Sequence, residues 1–169
     1  MINTALVSFG MSGKVFHAPF IATNPNFNLV GSWERSTKNI EAAYPGTKSY
    51  NSYEELLADP TIDLVVVNSP NDTHYAYTKS ALLAGKHVVC EKAFTITAAE
   101  AQELDDIAKQ KGLKLAVYHN RRYDADFLTI QQLIKEDAIG EFLDVQISFE
   151  RYRTTLSPKK HKESVTPGA

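Results

Sequence analysis

The sequence predicts a doubly wound α/β domain built on a parallel sheet. Short β-rich apolar runs alternate with longer stretches of helical periodicity, and turn or capping residues separate them. Several of the runs are apolar at successive positions, the pattern of strands covered on both faces.

Taken in order, the first strand is expected at Ala5-Leu6-Val7-Ser8-Phe9, running into a turn that holds Gly10 and Gly13. The second is Asn28-Leu29-Val30-Gly31-Ser32-Trp33. Ser52-Tyr53-Glu54-Glu55 fits a capping box, in which hydroxyl and carboxylate satisfy orphan amides reciprocally, and opens a helix. A third strand, Asp63-Leu64-Val65-Val66-Val67-Asn68, precedes a helix closed by Gly85, and a fourth follows at His87-Val88-Val89-Cys90. Thr97-Ala98-Ala99-Glu100 is a second capping box, opening a helix whose stripe is Ala101, Leu104, Ile107 and Ala108 and whose stop is Gly112. The fifth strand is Leu113-Lys114-Leu115-Ala116-Val117-Tyr118. A helix from Asp124 or Ala125 to about Ala138 presents Phe127, Ile130, Leu133 and Ile134, and Gly140 closes it. The alternating Phe142–Glu150 reads as a sixth strand, and residues 151–169 are polar, basic and rich in breakers.

Composition narrows the function. Eighteen Lys and Arg against twenty Asp and Glu leave a net charge of -2 over 169 residues, which speaks against a nucleic-acid or anionic-membrane partner. The single cysteine, Cys90, rules out an intramolecular disulfide framework and a multi-cysteine zinc site, and no metal site is expected. The start Met1-Ile2-Asn3-Thr4-Ala5 lacks a basic segment followed by an apolar one, and no later run approaches bilayer length, so a cytoplasmic protein is expected.

The chemistry-bearing residues fall where the strands end. In Ser8-Phe9-Gly10-Met11-Ser12-Gly13 a dinucleotide fingerprint is matched at Gly10 and Gly13, with Ser8 in the first glycine position. Such a loop must turn tightly, let a pyrophosphate approach the backbone, and aim free helix amides at the anion. A P-loop is excluded because Ser8 is not glycine and Val15 carries no hydroxyl; a plain strand-to-helix turn is the bland alternative. Glu34 and Arg35 end the second strand about twenty residues on, where a ribose is read. Glu34 accepting from a 2′-hydroxyl favours NAD, Arg35 with Ser36 on a 2′-phosphate favours NADP, and both residues can equally be solvated.

Ser69-Pro70-Asn71-Asp72-Thr73-His74 follows the third strand on the same rim; Asp72 or Thr73 can simply cap a helix, and His74 can be a hydrogen-bonded surface residue. Glu91-Lys92 follows the fourth strand. Lys92 can donate to a substrate oxygen or pair with Glu91. After the fifth come His119-Asn120-Arg121-Arg122-Tyr123-Asp124, suited to phosphate or polyol recognition or to anchoring the next helix through Asp124 or Asp126.

Together these segments resemble the N-terminal half of the Gfo/Idh/MocA family of NAD(P)-dependent oxidoreductases. The resemblance rests on Gly10-Met11-Ser12-Gly13-Lys14-Val15-Phe16-His17-Ala18-Pro19, Ser69-Pro70-Asn71 with His74, Glu91-Lys92, and Val117-Tyr118-His119-Asn120-Arg121-Arg122-Tyr123-Asp124. The last segment is most similar to the NADP-dependent scyllo-inositol dehydrogenase branch. The resemblance implies a Rossmann domain over residues 1–119, with residues 120–169 the linking helix, first strand and tail of an incomplete C-terminal substrate domain. Fifty residues after position 119 cannot close a core of their own.

It further implies hydride transfer between a nicotinamide and a sugar or polyol hydroxyl carbon, with NADP, or alternatively NAD, as cofactor. Gly10, Met11, Ser12 and Gly13 would cradle the pyrophosphate, Glu34 and Arg35 read the ribose, and Ser69, Pro70 and Asn71 line the adenosine or nicotinamide-ribose side. His74, Glu91, Asn120 and Arg122 are counted among the cofactor-binding residues. Lys92 would be catalytic, as the lysine of the family's Glu-Lys-Pro motif, with Ala93 here in place of proline. The family's catalytic Asp-x-x-x-His segment is not found in the sequence, so the chain alone is expected to bind cofactor with weak or no turnover. Oligomerisation would run through the C-terminal sheet. The competing reading is a non-catalytic nucleotide-sensing or interaction module whose Phe142–Glu150 strand pairs with a partner.

Overall fold

A computed structural model describes residues 1–150, 152, 154 and 155, and these divide into two compact units, Met1–Tyr118 and the residues from His119 onward. In the first unit β1 (Ile2–Leu6), β2 (Phe27–Trp33), β3 (Lys48–Tyr50), β4 (Leu64–Val67), β5 (His87–Cys90) and β6 (Leu115–Val117) form one sheet. Its order is β3-β2-β1-β4-β5-β6, and every neighbouring pair is parallel. The order reverses between β1 and β4, which opens a crevice at the carboxyl ends of those strands.

The successive apolar residues supply both faces of the sheet. Ala5 and Val7, Val65 and Val67, and Val88 and Cys90 face a core covered by α3 (Tyr53–Ala58), α4 (His74–Leu83) and α5 (Ala98–Gln110). Leu6, Val66 and Val89 point the other way, onto Ala18 and Ile21 of α1 (Ala18–Thr23) and Ile40 of α2 (Ile40–Ala43). Thr97 and Glu100 make the expected reciprocal capping box. At Ser52 only the hydroxyl half forms, accepting from Glu55 N at 3.0 Å, because the Glu55 carboxylate turns to Asn51 and Lys48 instead. Gly85, Gly112 and Gly140 all take the left-handed conformation expected where a helix stops.

Three expectations need correction. The first strand spans Ile2–Leu6 and not Ala5–Phe9, so Ser8 and Phe9 belong to the turn. β3 was not foreseen: three residues with two buried side chains carry no legible period, and the strand exists because it lies against Gly31. A Cβ on Gly31 would come within 2.0 Å of Lys48 O. Phe142–Glu150 forms no strand. Its ladder groups find no sheet to pair with among the described residues, and without such pairing an alternating pattern does not fix an extended backbone.

The second unit holds a 3-10 turn, Asn120–Tyr123, and α6 (Ala125–Lys135), which ends three residues short of the expected Ala138. Arg121 meets Asp124 at 2.7 Å, the anchoring alternative read from the sequence. Most of the polar 151–169 tail lies outside the described residues. No described helix is long and apolar enough to cross a membrane.

Candidate functional site

The glycine loop is fixed from β4. Asn68, 6% exposed at the end of that strand, accepts from Ser8 N at 2.9 Å and donates to Ser8 O at 2.8 Å, so one amide side chain satisfies a whole peptide group. The Ser8 hydroxyl then accepts from Gly10 N at 3.2 Å, which gives the serine in the first glycine position a local use. Gly13 packs directly on this turn: a Cβ there would lie 2.5 Å from Ser8 O and 3.0 Å from Asn68 Nδ2. Lys14 N bonds to Gly10 O at 2.9 Å, so the amides of Met11, Ser12 and Gly13 fall in the first turn, whose donors a helix leaves unpaired. These features fit a dinucleotide pyrophosphate: a loop without side chains in the way at Gly10 and Gly13, and backbone donors ahead of the first helical bond.

A cleft of about 320 Å³ opens beside the loop. Gly10, Glu34, Arg35, Ser69 and Pro70, all expected at the site, meet there, together with Lys14, Ser36, Thr37, Thr73, Trp33 and Tyr77. Trp33 stacks on Tyr53 with ring centroids 5.6 Å apart, and the edge of Tyr77 meets both rings. Tyr53 donates to Tyr77 O at 2.6 Å, and burial above all holds its hydroxyl protonated, well above the ordinary tyrosine range. This gives the cleft a rigid aromatic wall of the kind that seats a flat ring.

Glu34 points away from the role of a free acceptor. Its Oε1 accepts from Asn39 N at 2.8 Å, Ile40 N at 3.1 Å and Ser32 Oγ at 3.4 Å, and its Oε2 from Thr37 Oγ1 at 2.7 Å. The carboxylate holds the entry to α2, leaving Arg35 and Lys14 as the cations on the cleft lining.

Glu91 and Lys92 lie on the rim beyond β5. The Glu91 Oε1 accepts from Ser12 Oγ at 2.6 Å and lies 2.9 Å from His17 Nε2, while Oε2 accepts from Lys92 N at 3.2 Å. Burial raises the Glu91 carboxyl, but the hydrogen bonds from His17 and Ser12 outweigh it and hold the group below its usual range. The pairing of Glu91 with the Lys92 ammonium, one alternative read from the sequence, is not formed. Lys92 is exposed and its peptide bond to Ala93 is cis.

His74, counted among the cofactor-binding residues, is a correction: it is completely buried. Its Nδ1 lies 2.7 Å from Ala93 O and its Nε2 2.9 Å from Ser69 O, so it ties the loops after β4 and β5 together and has no surface left for a ligand. Asn71 begins the 3-10 turn Asn71–Thr73, and His74 N bonds back to its carbonyl. Asn120 and Arg122 belong to the 3-10 turn of the second unit. Asn68, His17, Lys14 and the Trp33–Tyr77 wall were given no role from the sequence. Asn68 carried a signal, a polar residue closing an apolar strand, but nothing in the sequence says that its partner is the peptide of Ser8.

The family model GFO_IDH_MocA, described as an oxidoreductase family with an NAD-binding Rossmann fold, matches residues 2–119. An uncharacterized oxidoreductase of Schizosaccharomyces pombe is 46% identical over 157 residues, 90% of this chain and 42% of that protein. The scyllo-inositol 2-dehydrogenase (NADP(+)) IolW of Bacillus subtilis is 37% identical over 168 residues, 99% of this chain and 47% of that protein. The crystal structure of an oxidoreductase from Bacteroides fragilis superposes with a TM-score of 0.86 at 49% identity, covering 92% of this chain and 46% of that one. The chain thus spans about half the length of the curated relatives it matches.

Proposed function

The chain belongs to the Gfo/Idh/MocA family of oxidoreductases with an NAD-binding Rossmann fold, and on that premise we propose that it serves an NADP-preferring dehydrogenase of a sugar or polyol. The observation that carries the cofactor preference is the Glu34 carboxylate, whose two oxygens are taken by four donors of its own segment. Turned to its own segment, the carboxylate has fewer acceptor sites left for a 2′-hydroxyl, and Arg35 and Lys14 supply the positive charge that a 2′-phosphate needs on the same cleft. The Bacillus subtilis relative, an NADP(+) dehydrogenase by name, agrees with this.

The bound nicotinamide supplies the hydride acceptor or donor. The residues of this chain bind and orient. Gly10, Met11, Ser12 and Gly13 receive the pyrophosphate on backbone amides, Ser69, Pro70 and Asn71 border the ribose, and Trp33 and Tyr77 wall the adenosine end. Lys92, whose ammonium has no acidic partner among the described residues, donates to the oxygen of the reacting carbon and stabilises charge that develops there. The substrate class rests on the scyllo-inositol relative and on a D-xylose 1-dehydrogenase (NADP(+)) of Hypocrea jecorina that is 44% identical over 107 residues.

Calorimetric titration with NADPH and with NADH tests the reading. Tighter binding of NADPH is expected; equal binding overturns the preference, and absence of binding by a folded sample overturns the dinucleotide site. A second reading, an interaction module, is favoured by one observation, the exposure of Leu143 (94%) and Ile147 (88%). It requires a self-associated or partner-bound species in size exclusion that Ile147→Lys dissociates.

A further inference from the structure

The helix after the glycine loop opens with an α-type bond, Lys14 N on Gly10 O, but does not continue as an ordinary α-helix. Gly13–His17 is a π turn, closed by Ala18 N on Gly13 O, and the extra residue in the turn carries His17 to the inner side, where it is 4% exposed. There its ring packs on Tyr118 with centroids 4.4 Å apart, and the Tyr118 hydroxyl returns to Phe16 O at 2.9 Å. His17 Nε2 meets Glu91 Oε1, the oxygen that also accepts from Ser12, while the other oxygen of Glu91 accepts from Lys92 N. One carboxylate therefore bonds to the pyrophosphate loop, to a buried ring behind it, and to the backbone of the lysine that is to act. π turns of this kind recur at functional sites because they re-aim a side chain at the cost of helical regularity.

We propose that His17 and Glu91 are positioning residues that make the pyrophosphate loop and the Lys92 loop move as one, so that seating the dinucleotide also sets Lys92. This rests on the dinucleotide and Lys92 roles proposed above. Two consequences follow from the geometry. The Ser12 hydroxyl is spent on Glu91, so Ser12 offers a pyrophosphate only its amide. With Glu91 engaged on the loop side, the Lys92 ammonium stays available to a substrate oxygen.

The test separates coupling from simple support of the fold. Amine acetylation of Lys92 is followed by mass spectrometry in the intact chain, with and without saturating NADPH, and the dissociation constant is measured alongside by calorimetry. In the wild type, bound dinucleotide is expected to slow Lys92 acetylation at least tenfold. Glu91→Ala breaks the bridge and should weaken NADPH about tenfold. At saturation its protection of Lys92 should fall to less than twofold, while Glu91→Gln, whose one carbonyl oxygen can still accept from Ser12 and His17 but whose amide nitrogen would face Lys92 N, should restore only part of the protection. His17→Phe keeps the ring against Tyr118 but removes the donor; it should lose protection like Glu91→Ala, and it serves as the second variant where that one fails to fold. Full protection of Lys92 in both variants at saturating NADPH overturns the coupling. A wild type that binds neither NADPH nor NADH overturns the dinucleotide reading and the bridge with it, so the two failures are told apart by the wild-type titration.

Discussion

The side-chain amide of Asn68 and the peptide group of Ser8 form a two-point pair, 2.9 Å from Ser8 N to Oδ1 and 2.8 Å from Nδ2 to Ser8 O, across the switch point between β1 and β4. Asn68→Ala removes both partners from a part-buried peptide, and each orphaned group costs about 1–3 kcal/mol when fully buried and less where water reaches it. A loss of about 2–4 kcal/mol is expected from the urea midpoint. Asn68→Asp should cost at least as much, since its second oxygen would face Ser8 O. Gly13→Ala drives a methyl to 2.5 Å from the same carbonyl and should cost about 1–3 kcal/mol through the shift it forces. An unchanged midpoint in Asn68→Ala would show that the pair does not hold the loop.

Arg35 and Glu34 are adjacent in sequence and opposite in expected effect. Arg35→Ala removes a charge-assisted donor from the cleft, worth about 1.5–3 kcal/mol, and should weaken NADPH about tenfold or more with NADH unchanged. Glu34→Ala removes the acceptor at the entry to α2 and should lower stability by about 1 kcal/mol without raising the preference for NADH. Competitive calorimetry with the two reduced cofactors checks both. Glu34→Ala losing NADH selectively would return Glu34 to the ribose.

The layered sheet was legible because its physics is local. Val65, Val66 and Val67 are apolar in succession since two cores need them, and Thr97 with Glu100 announces a helix within four residues. Alternation of elements carried five of the six strands, but Lys48–Tyr50 escaped, because a three-residue edge strand is made by its neighbour Gly31 and not by its own pattern. Phe142–Glu150 shows the converse, a clean alternation that forms no strand without a sheet to complete. At the site, the positions of Gly10, Arg35 and Lys92 followed from where strands end. What Glu34, His74 and Glu91 bond to did not, because their partners, Asn39, Ala93 and Ser12, are fixed by the tertiary fold.

Cys90 should behave as a core residue and not as a redox or nucleophilic centre. Burial pushes its thiol from an ordinary 9.0 up to about 11, with the neighbouring Thr78 hydroxyl opposing the rise and the Glu91 charge adding to it. A folded-state value above the unfolded one stabilises the fold fully below pH 9, and that contribution is lost as the pH climbs through about 11. At pH 8 a thiol reagent should leave Cys90 unmodified in the native chain and react with it at the rate of unfolding. Cys90→Ala should flatten the alkaline decline in stability between pH 9 and 11. Rapid labelling of the native protein would mean that β5 opens far more readily than its burial implies.

Trp33 offers the most direct report on where the ligand sits. It is the sole tryptophan of the sequence, it lines the cleft, and its ring is held between Tyr53 and Tyr77. A reduced nicotinamide absorbs where tryptophan emits, so NADPH seated in this crevice should quench the emission of Trp33 by energy transfer. NADP+, which lacks that absorption, should quench it less. Trp33→Phe keeps an aromatic wall and should abolish the optical signal while calorimetry still detects binding with an affinity within about threefold of wild type, a change below 1 kcal/mol. Unchanged emission of the wild type under NADPH saturation, established by calorimetry on the same sample, would place the dinucleotide away from the Trp33–Arg35 end of the cleft.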